Sequence, residues 1–358
     1  MAAPLLLAAR SSVQPLLGEV GRDEAETRKK IEQGFEAQGF LLAGLLDRAA
    51  AIMPDNEKIK LYRRQAALGR SYYRALAGRY QGDADKLFEL GSELGNLGYA
   101  SDALALYDQA MKLEPENSLT AINRGLVLFD LGKLDQAMEA FDRVLKRDPD
   151  NALSHYNLGV VLNAADQAKD ALPHLQRAVN EEPDLLGARI ELAEVLLDQG
   201  ELHRAKGELR AIVAQNSWVA EAWDMLGLVA QKERDWPRAK SYHIRALQIE
   251  PYRGAAHYNL GIALEELGQF EEAASAYQAA LTIDPQDARA ENNLGLLYAR
   301  SGLWDRAIEA YQRALKSDPN CAEARYNLGL AWQAQGELKA AAQAFEAVLQ
   351  SETGSPAD

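Results

Sequence analysis

Cysteine is nearly absent from this sequence: Cys321 is the only cysteine among 358 residues. One thiol cannot form an internal disulfide or the thiolate cluster of a structural zinc site, so both are excluded. Basic charge is also scarce: 39 Lys and Arg face 53 Asp and Glu, which gives a formal net charge of -14. The excess negative charge repels the phosphate backbone of a nucleic acid, and no local basic patch offsets it. We therefore expect no nucleic-acid partner.

Long apolar stretches are missing as well. No run approaches the roughly 18 apolar residues that a membrane-spanning helix needs, so we expect no membrane span. The first ten residues include the short apolar run from Leu5 to Ala9, but no Lys or Arg precedes it. Such a start only weakly resembles a secretory signal peptide, and we therefore expect a cytoplasmic protein.

Signatures of catalysis are also lacking. The sequence contains no glycine-rich phosphate loop, no nucleophile elbow and no helical H-E-x-x-H zinc motif. His243 and His257 are the two histidines that we expect to pack near each other, and they match no metal motif. The sequence therefore predicts no enzyme activity, no cofactor and no metal site.

What the sequence does contain is a 34-residue repeat. Prolines recur at this interval, small residues follow them ten positions later, and a set of alanines recurs without exception. The prolines are Pro115, Pro149, Pro183, Pro251, Pro285 and Pro319, with Ser217 at the vacant position. The small residues are Gly91, Gly125, Gly159, Ala193, Gly227, Gly261, Gly295 and Gly329, and the alanines are Ala103, Ala137, Ala171, Ala205, Ala239, Ala273, Ala307 and Ala341.

Each recurring residue has a physical role. Small side chains let two helices approach closely, because a larger one would force their backbones apart. The proline ends a helix, since its ring and its missing N–H prevent continuation. Between these marks the apolar residues recur at helical spacing, as in Tyr258, Leu260 and Leu264, and then Tyr277 and Leu281 after a turn. The repeat therefore predicts two helices in every unit.

Numbered from its first residue, a unit has a large residue at position 4, Leu at 7, Gly at 8, Ala at 20, an aromatic at 24, Ala at 27 and Pro at 32. This pattern resembles the tetratricopeptide repeat. The resemblance implies an all-α fold, a right-handed superhelical solenoid of antiparallel helix pairs. The expected units are 84–117, 118–151, 152–185, 186–219, 220–253, 254–287, 288–321 and 322–355. We expect a loosely ordered segment over 1–22, a degenerate helical cap over 23–83 and a disordered tail over 351–358.

Two units depart from the pattern. The fourth has Ala193, Ile212 and Ser217 at the Gly, Ala and Pro positions, which predicts looser packing and a flexible joint. The third lacks the turn glycine and has Asp166 instead, and it carries Pro173 within its second helix. We expect that helix to begin late, after the proline.

In proteins that this sequence resembles, the first helices line a concave groove, and positions 2, 5, 6, 9, 12 and 13 face it. Asparagine amides at position 6 suit the backbone of an extended peptide, because each offers a donor and an acceptor. Asparagine is also common at this position in the family, so a structural role stays open. The candidate peptide-binding residues are Asn123, Asn157, Asn259, Asn293 and Asn327, with Tyr156, Tyr258 and Tyr326 beside them.

The middle of the chain carries acidic residues at the same groove positions. Only Lys232 is expected to offset them locally. Such a patch would favour a basic segment of a partner, although a solvated acidic face or a divalent-metal site are alternatives. Its members are Glu191, Glu194, Asp198, Glu221, Asp224, Glu265 and Glu266.

These features predict a non-catalytic scaffold that binds an extended peptide or a partner protein in its groove, as in an assembly factor for a larger complex. A regulatory or targeting subunit of a separate enzyme, such as a protein glycosyltransferase, is one alternative, and delivery of a divalent metal through the acidic patch is another. The last helix carries apolar residues such as Phe345 and Leu349 that a further unit would cover. We expect self-association or partner docking at this end.

Overall fold

The computed structural model describes Tyr73 and residues 75–353, and these residues form helices and turns without any strand. From residue 84 onward the helices are α1 (Ala84–Asn96), α2 (Ala100–Leu113), α3 (Ser118–Asp130), α4 (Leu134–Leu145), α5 (Ala152–Ala164), α6 (Ala168–Glu181), α7 (Leu186–Asp198), α8 (Leu202–Gln215), α9 (Ala220–Lys232), α10 (Trp236–Ile249), α11 (Gly254–Glu266), α12 (Phe270–Ile283), α13 (Ala288–Arg300), α14 (Trp304–Ser317), α15 (Ala322–Gln335) and α16 (Leu338–Thr353). The all-α fold is confirmed.

Some predictions concern residues that are not described. Those for 1–22, most of those for 23–83 and the end of the tail over 351–358 lie outside the described residues. Helix α16 continues to Thr353, which is inside the segment expected to be a disordered tail. No helix of the described part has both the length and the apolar character needed to cross a membrane.

The helices form antiparallel pairs that stack in chain order. Helices α1 and α2 are joined by the three residues between Asn96 and Ala100, so the chain reverses direction there. Within residues 1–181 and within residues 202–353, the second helix of a pair packs against the first helix of the next one, as α2 does on α3 and α10 on α11. The chain divides into two compact units, Met1–Val195 and Leu196–Asp358, with the boundary inside α7.

The odd-numbered helices begin at the residues with which the 34-residue frame opens its units, from Ala84 to Ala322. Asparagine or aspartate side chains cap several of them, as where Asn117 Oδ1 accepts a hydrogen bond from the Thr120 N–H at 3.0 Å. Such a cap pairs one of the backbone donors that a helix N-terminus leaves open.

Close contact between the two helices of a pair depends on the glycine at position 8. In the seventh unit the Tyr311 ring packs against Gly295, and a Cβ added to that glycine would be 2.6 Å from the nearest ring atom. The same contact joins Gly125 and Phe141, with 2.7 Å for the added Cβ. The residue at position 24 therefore packs on bare backbone, so any larger residue at position 8 would separate the helices.

The turn inside each pair uses a left-handed backbone conformation. In most units glycine occupies this position, where it carries no steric cost. Asp166 and Arg234 hold the same conformation, each with φ 59°, in the third and fifth units. A non-glycine residue in this region costs roughly 1–2 kcal/mol, so these two turns are strained relative to the others.

The expected late start of α6 is wrong. The helix begins at Ala168 and contains Pro173. Pro173 is exposed and removes only the bond to the Lys169 carbonyl, near the start of the helix. Burial of Ala171 and Leu175, which have no exposed surface, holds the helix in place around this defect.

The turn at Ser217 is closed by another residue. The Trp223 Nε1–H donates to the Ser217 carbonyl at 3.0 Å. Ile212, at the position where most other units have alanine, has no exposed surface. Flexibility at this joint stays a prediction.

Candidate protein-interaction surface

The odd-numbered helices carry the predicted asparagines and also contact one another, as α1 and α3 do, and α13 and α15. In residues 1–195, Asn123 is half-buried and its amide has no hydrogen-bond partner among the described residues. Asn157 is 5 % exposed, and its Nδ2 also has no partner there. A buried amide donor without a partner lowers the stability of the fold by about 1–3 kcal/mol. An acceptor that reached Asn157 would remove this penalty.

In residues 196–358 the asparagines are not equivalent. Asn259 is half-buried and its side chain makes no hydrogen bond within the described part of the chain, whereas Asn293 Nδ2 lies 3.3 Å from the Tyr277 hydroxyl. Asn327 Nδ2 donates to Asn292 Oδ1 at 3.0 Å. Two of these three amides thus use a donor within the protein, and the Asn293 oxygen also accepts from Asn292 Nδ2 at 3.4 Å. Of these two, Asn327 is therefore the one whose oxygen is left for a ligand.

The three tyrosines differ in the same way. Tyr156 is buried, with 6 % of its surface exposed, whereas Tyr326 is 49 % exposed. Tyr258 is half-buried, and the Arg289 guanidinium lies 4.8 Å from the centre of its ring. Tyr326 is therefore the member of this set with the most surface for a partner.

A row of apolar side chains at position 9 lies beside the asparagines, and we did not single it out from the sequence. Leu296 on α13 is 37 % exposed and Leu330 on α15 is 42 % exposed. Ile262 occupies the same position on α11 and is half-buried. The signal was available in the repeat, because position 9 is apolar in six units: Leu126, Val160, Leu228, Ile262, Leu296 and Leu330.

Asp224 was predicted as part of an exposed acidic patch, but it is buried and paired. It is 4 % exposed, the His243 Nδ1 lies 2.6 Å from its Oδ1, and the Arg253 Nε donates to its Oδ2 at 3.3 Å. Burial raises the pKa of this carboxyl, but His243 and Arg253 outweigh burial and hold the pKa of Asp224 below its usual value. Asp224 is therefore an internal carboxylate that offers nothing to a ligand.

The hydrogen bonds around His243 define its tautomer. The Gln231 Nε2 donates to the Asn259 carbonyl at 2.8 Å and also lies 3.2 Å from His243 Nε2. His243 Nε2 accepts from this amide, so the ring proton is on Nδ1 and is donated to Asp224. Every polar atom of the imidazole is thus paired although the ring is fully buried.

The other predicted acidic residues do not form one cluster of free carboxylates. Glu221 lies 3.7 Å from Arg253, so the expectation that only Lys232 offsets the patch is wrong. Glu265 accepts a hydrogen bond from the Tyr277 hydroxyl at 3.0 Å, and burial raises the pKa of both groups. Asp198 and Glu266 are exposed.

In residues 1–195, Glu191 Oε1 accepts from Asn163 Nδ2 at 3.1 Å, and Glu194 is exposed. The described residues contain no group of three or more His, Cys, Asp or Glu side chains arranged for a metal ion.

Family models for the tetratricopeptide repeat match residues 88–145, 122–185 and 292–356, and further models for the same repeat match 162–228 and 263–302. The chain belongs to the tetratricopeptide repeat family. Members of this family are generally non-catalytic scaffolds for protein interaction. No curated protein matches this sequence.

Solved structures of tetratricopeptide repeat proteins share the fold. The Cut9–Hcn1 hetero-tetramer of the APC/C has a TM-score of 0.55 at 18% identity, over 80% of this chain and 51% of that one. A tetratricopeptide repeat protein from Parabacteroides merdae has a TM-score of 0.55 at 16% identity, over 69% and 98%. Pseudomonas aeruginosa PilF has a TM-score of 0.53 at 20% identity, over 59% and 96%. These identities establish similarity of fold only.

In five units of the described part of this tetratricopeptide array, the side chain at position 4 closes the turn that precedes the unit. The His257 Nε2 bonds the Pro251 carbonyl at 2.9 Å, six residues earlier. Arg189, Trp223, Arg325 and His155 make the same bond to residues 183, 217, 319 and 149.

His243 and His257 were expected to pack near each other, but they bond to different partners, Asp224 and Pro251. A different pair forms in the third repeat, where the Nδ1 atoms of His155 and His174 are 2.9 Å apart and the ring centroids 5.1 Å. These two distances place the nitrogens nearly on the line between the rings. Two nitrogens that face each other in this way share one proton in a hydrogen bond. A metal ion would instead need both lone pairs to converge on a point beside the rings.

Proposed function

We propose that this tetratricopeptide repeat protein is a non-catalytic scaffold that holds an extended segment of a partner protein along α11, α13 and α15. The observation that carries the proposal is the row of exposed leucines at position 9. Leu296 and Leu330, at 37 % and 42 % exposure, occupy the same place on neighbouring repeats, so they form a continuous apolar stripe. Apolar surface that recurs in this way is typical of an interaction site.

The polar groups beside the stripe suit a peptide backbone. Asn259 offers both a donor and an acceptor, and the oxygen of Asn327 is available beside Leu330. Amides can hydrogen-bond any peptide backbone, whereas the leucines select apolar side chains. The combination favours an extended segment with apolar residues facing the protein.

The charged residues near this surface indicate which charge the partner should carry. Glu266 at the end of α11 and Glu323 at the start of α15 are exposed, and Arg289 lies between them in the chain. We propose that basic residues of the partner meet these carboxylates and that their contribution is mainly to the association rate. A role in assembling a larger complex is the form of scaffolding that we propose for this protein.

Site-specific photo-crosslinking tests the proposal. A benzophenone side chain is placed at Leu330 in the full chain and, as a matched control, at Leu303, which is 45 % exposed but precedes α14 on a turn. Cross-links to one partner peptide are expected from residue 330 and not from 303, and mass spectrometry identifies the peptide. The variant Leu296→Ser should lower the yield. Equal cross-linking from both positions would contradict the proposed surface.

A further inference from the structure

Two exposed aromatic residues lie away from the leucine stripe. Trp218 is 69 % exposed and Tyr252 is 86 % exposed, more than any other large apolar side chain of the described residues. Both occupy position 33, on the turns that precede α9 and α11. Five of the other units have polar residues at this position: Glu116, Asp150, Asp184, Gln286 and Asn320.

The turns that carry these rings are held by hydrogen bonds. The Trp218 N–H donates to Asn216 Oδ1 at 3.0 Å, and Trp223 bonds the carbonyl of Ser217. His257 bonds the carbonyl of Pro251, next to Tyr252. Because the backbone that carries both rings is already fixed, binding of a partner there costs the protein little backbone entropy.

The two turns are also adjacent. They begin helices α9 and α11, which contact each other, so the turns are separated by about one helix packing distance of 8–10 Å. The Arg245 guanidinium, on α10 between them in the chain, lies 5.7 Å from the centre of the Trp218 ring. Trp218, Arg245 and Tyr252 therefore form one surface, the aromatic edge, within residues 196–358.

Arg245 supplies the positive charge of the aromatic edge. Its hydrogen bond goes to Gln248 Oε1 at 3.1 Å, and no carboxylate of the described residues pairs with it. An unpaired guanidinium beside an exposed indole favours a partner that supplies a carboxylate.

We propose that the aromatic edge binds a proline-rich segment of a partner protein, with an acidic residue next to its prolines. A polyproline II helix repeats every three residues and rises about 3.1 Å per residue, or about 9 Å per turn, which matches the separation of the two turns. Successive turns of the ligand then place a proline ring on Trp218 and another on Tyr252. The intervening carboxylate pairs with Arg245, and the preformed helix adds little ordering cost.

Fluorescence anisotropy with a labelled synthetic peptide of repeating Pro-Pro-Glu tests this assignment on the full chain. Saturable binding is expected, with a loss of about tenfold or more in affinity for Trp218→Asp or for Tyr252→Gln, because both rings act as anchors. Aspartate and glutamine occupy position 33 in other units, so these variants should fold, which circular dichroism checks. Arg245→Gln should weaken binding and reduce its salt dependence.

Matched controls separate this surface from the proposed groove. Leu296→Ser should bind the peptide as the wild type does, whatever its effect on the groove partner. Equal affinity for a Gly-Ser-Glu repeat would show attraction by charge alone and would overturn the proposal, as would unchanged affinity of the Trp218 and Tyr252 variants. A dimer that Trp218→Asp dissociates in sedimentation would identify a second copy as the occupant instead.

Discussion

Replacing His243 by Leu tests the buried network in the fifth repeat. Leucine fits this position, since Leu175 packs on Gly159 in the equivalent place of the third repeat. The substitution removes the 2.6 Å bond to Asp224, whose carboxylate is only 4 % exposed. His243 is neutral, so the loss is that of a hydrogen bond to a buried carboxylate, which contributes about 1.5–3 kcal/mol. Because both groups are buried, we expect the upper end, about 3 kcal/mol.

Hydrogen exchange followed by mass spectrometry measures this loss locally, which suits an array whose repeats need not unfold together. Amides of α9 and α10 should exchange about 100-fold faster in His243→Leu, because each 1.4 kcal/mol is a factor of ten. The double variant Asp224→Ile with His243→Leu should recover most of the protection, since Ile122 occupies the Asp224 position in the second repeat. His203→Leu, at an exposed histidine, is the control. A loss below about 1 kcal/mol in the single variant would refute the network as a source of stability.

Three further predictions concern the stability of single repeats. Arg234→Gly and Asp166→Gly should each stabilise the protein by about 1 kcal/mol, because glycine relieves the left-handed turn; an unchanged melting temperature would contradict the strain. Gly295→Ala should destabilise it by about 1–3 kcal/mol in thermal unfolding, since the new Cβ overlaps the Tyr311 ring. Burial is the main cause that lowers the pKa of His174 below its ordinary value of 6.5, and repulsion from His155 is the second. As the pH falls, His174 is therefore protonated in the unfolded chain before it is protonated in the folded one. Stability should therefore fall as the pH drops below about 6.5, and His174→Phe should flatten that dependence in urea titrations.

The helix bounds could be predicted because their signals are local. A proline between two units or a left-handed turn within a unit ends a helix locally, and the 34-residue period extends this frame from one unit to the next. Pro173 shows the limit: it carries the same local signal, yet burial of Leu175 holds the helix together around it.

The candidate site was less predictable, for two different reasons. Burial of Asp224 could have been inferred by comparing repeats, because position 5 is apolar in units such as those of Ile122 and Tyr156. The bond between His155 and His174 could not, since it depends on the distance between side chains of two helices. Sequence periodicity shows which residues share a face, but it does not show which of them touch.

The turn bond at position 4 changes how variation between repeats should be interpreted. Histidine, arginine and tryptophan share no size, charge or shape, and a comparison of residue types would score this position as variable. Their common property is an N–H that reaches a carbonyl six residues earlier. Substitutions among these three residues should be tolerated at any junction that has such a carbonyl, so position 4 offers freedom to vary surface charge in redesigned arrays without loosening the stack.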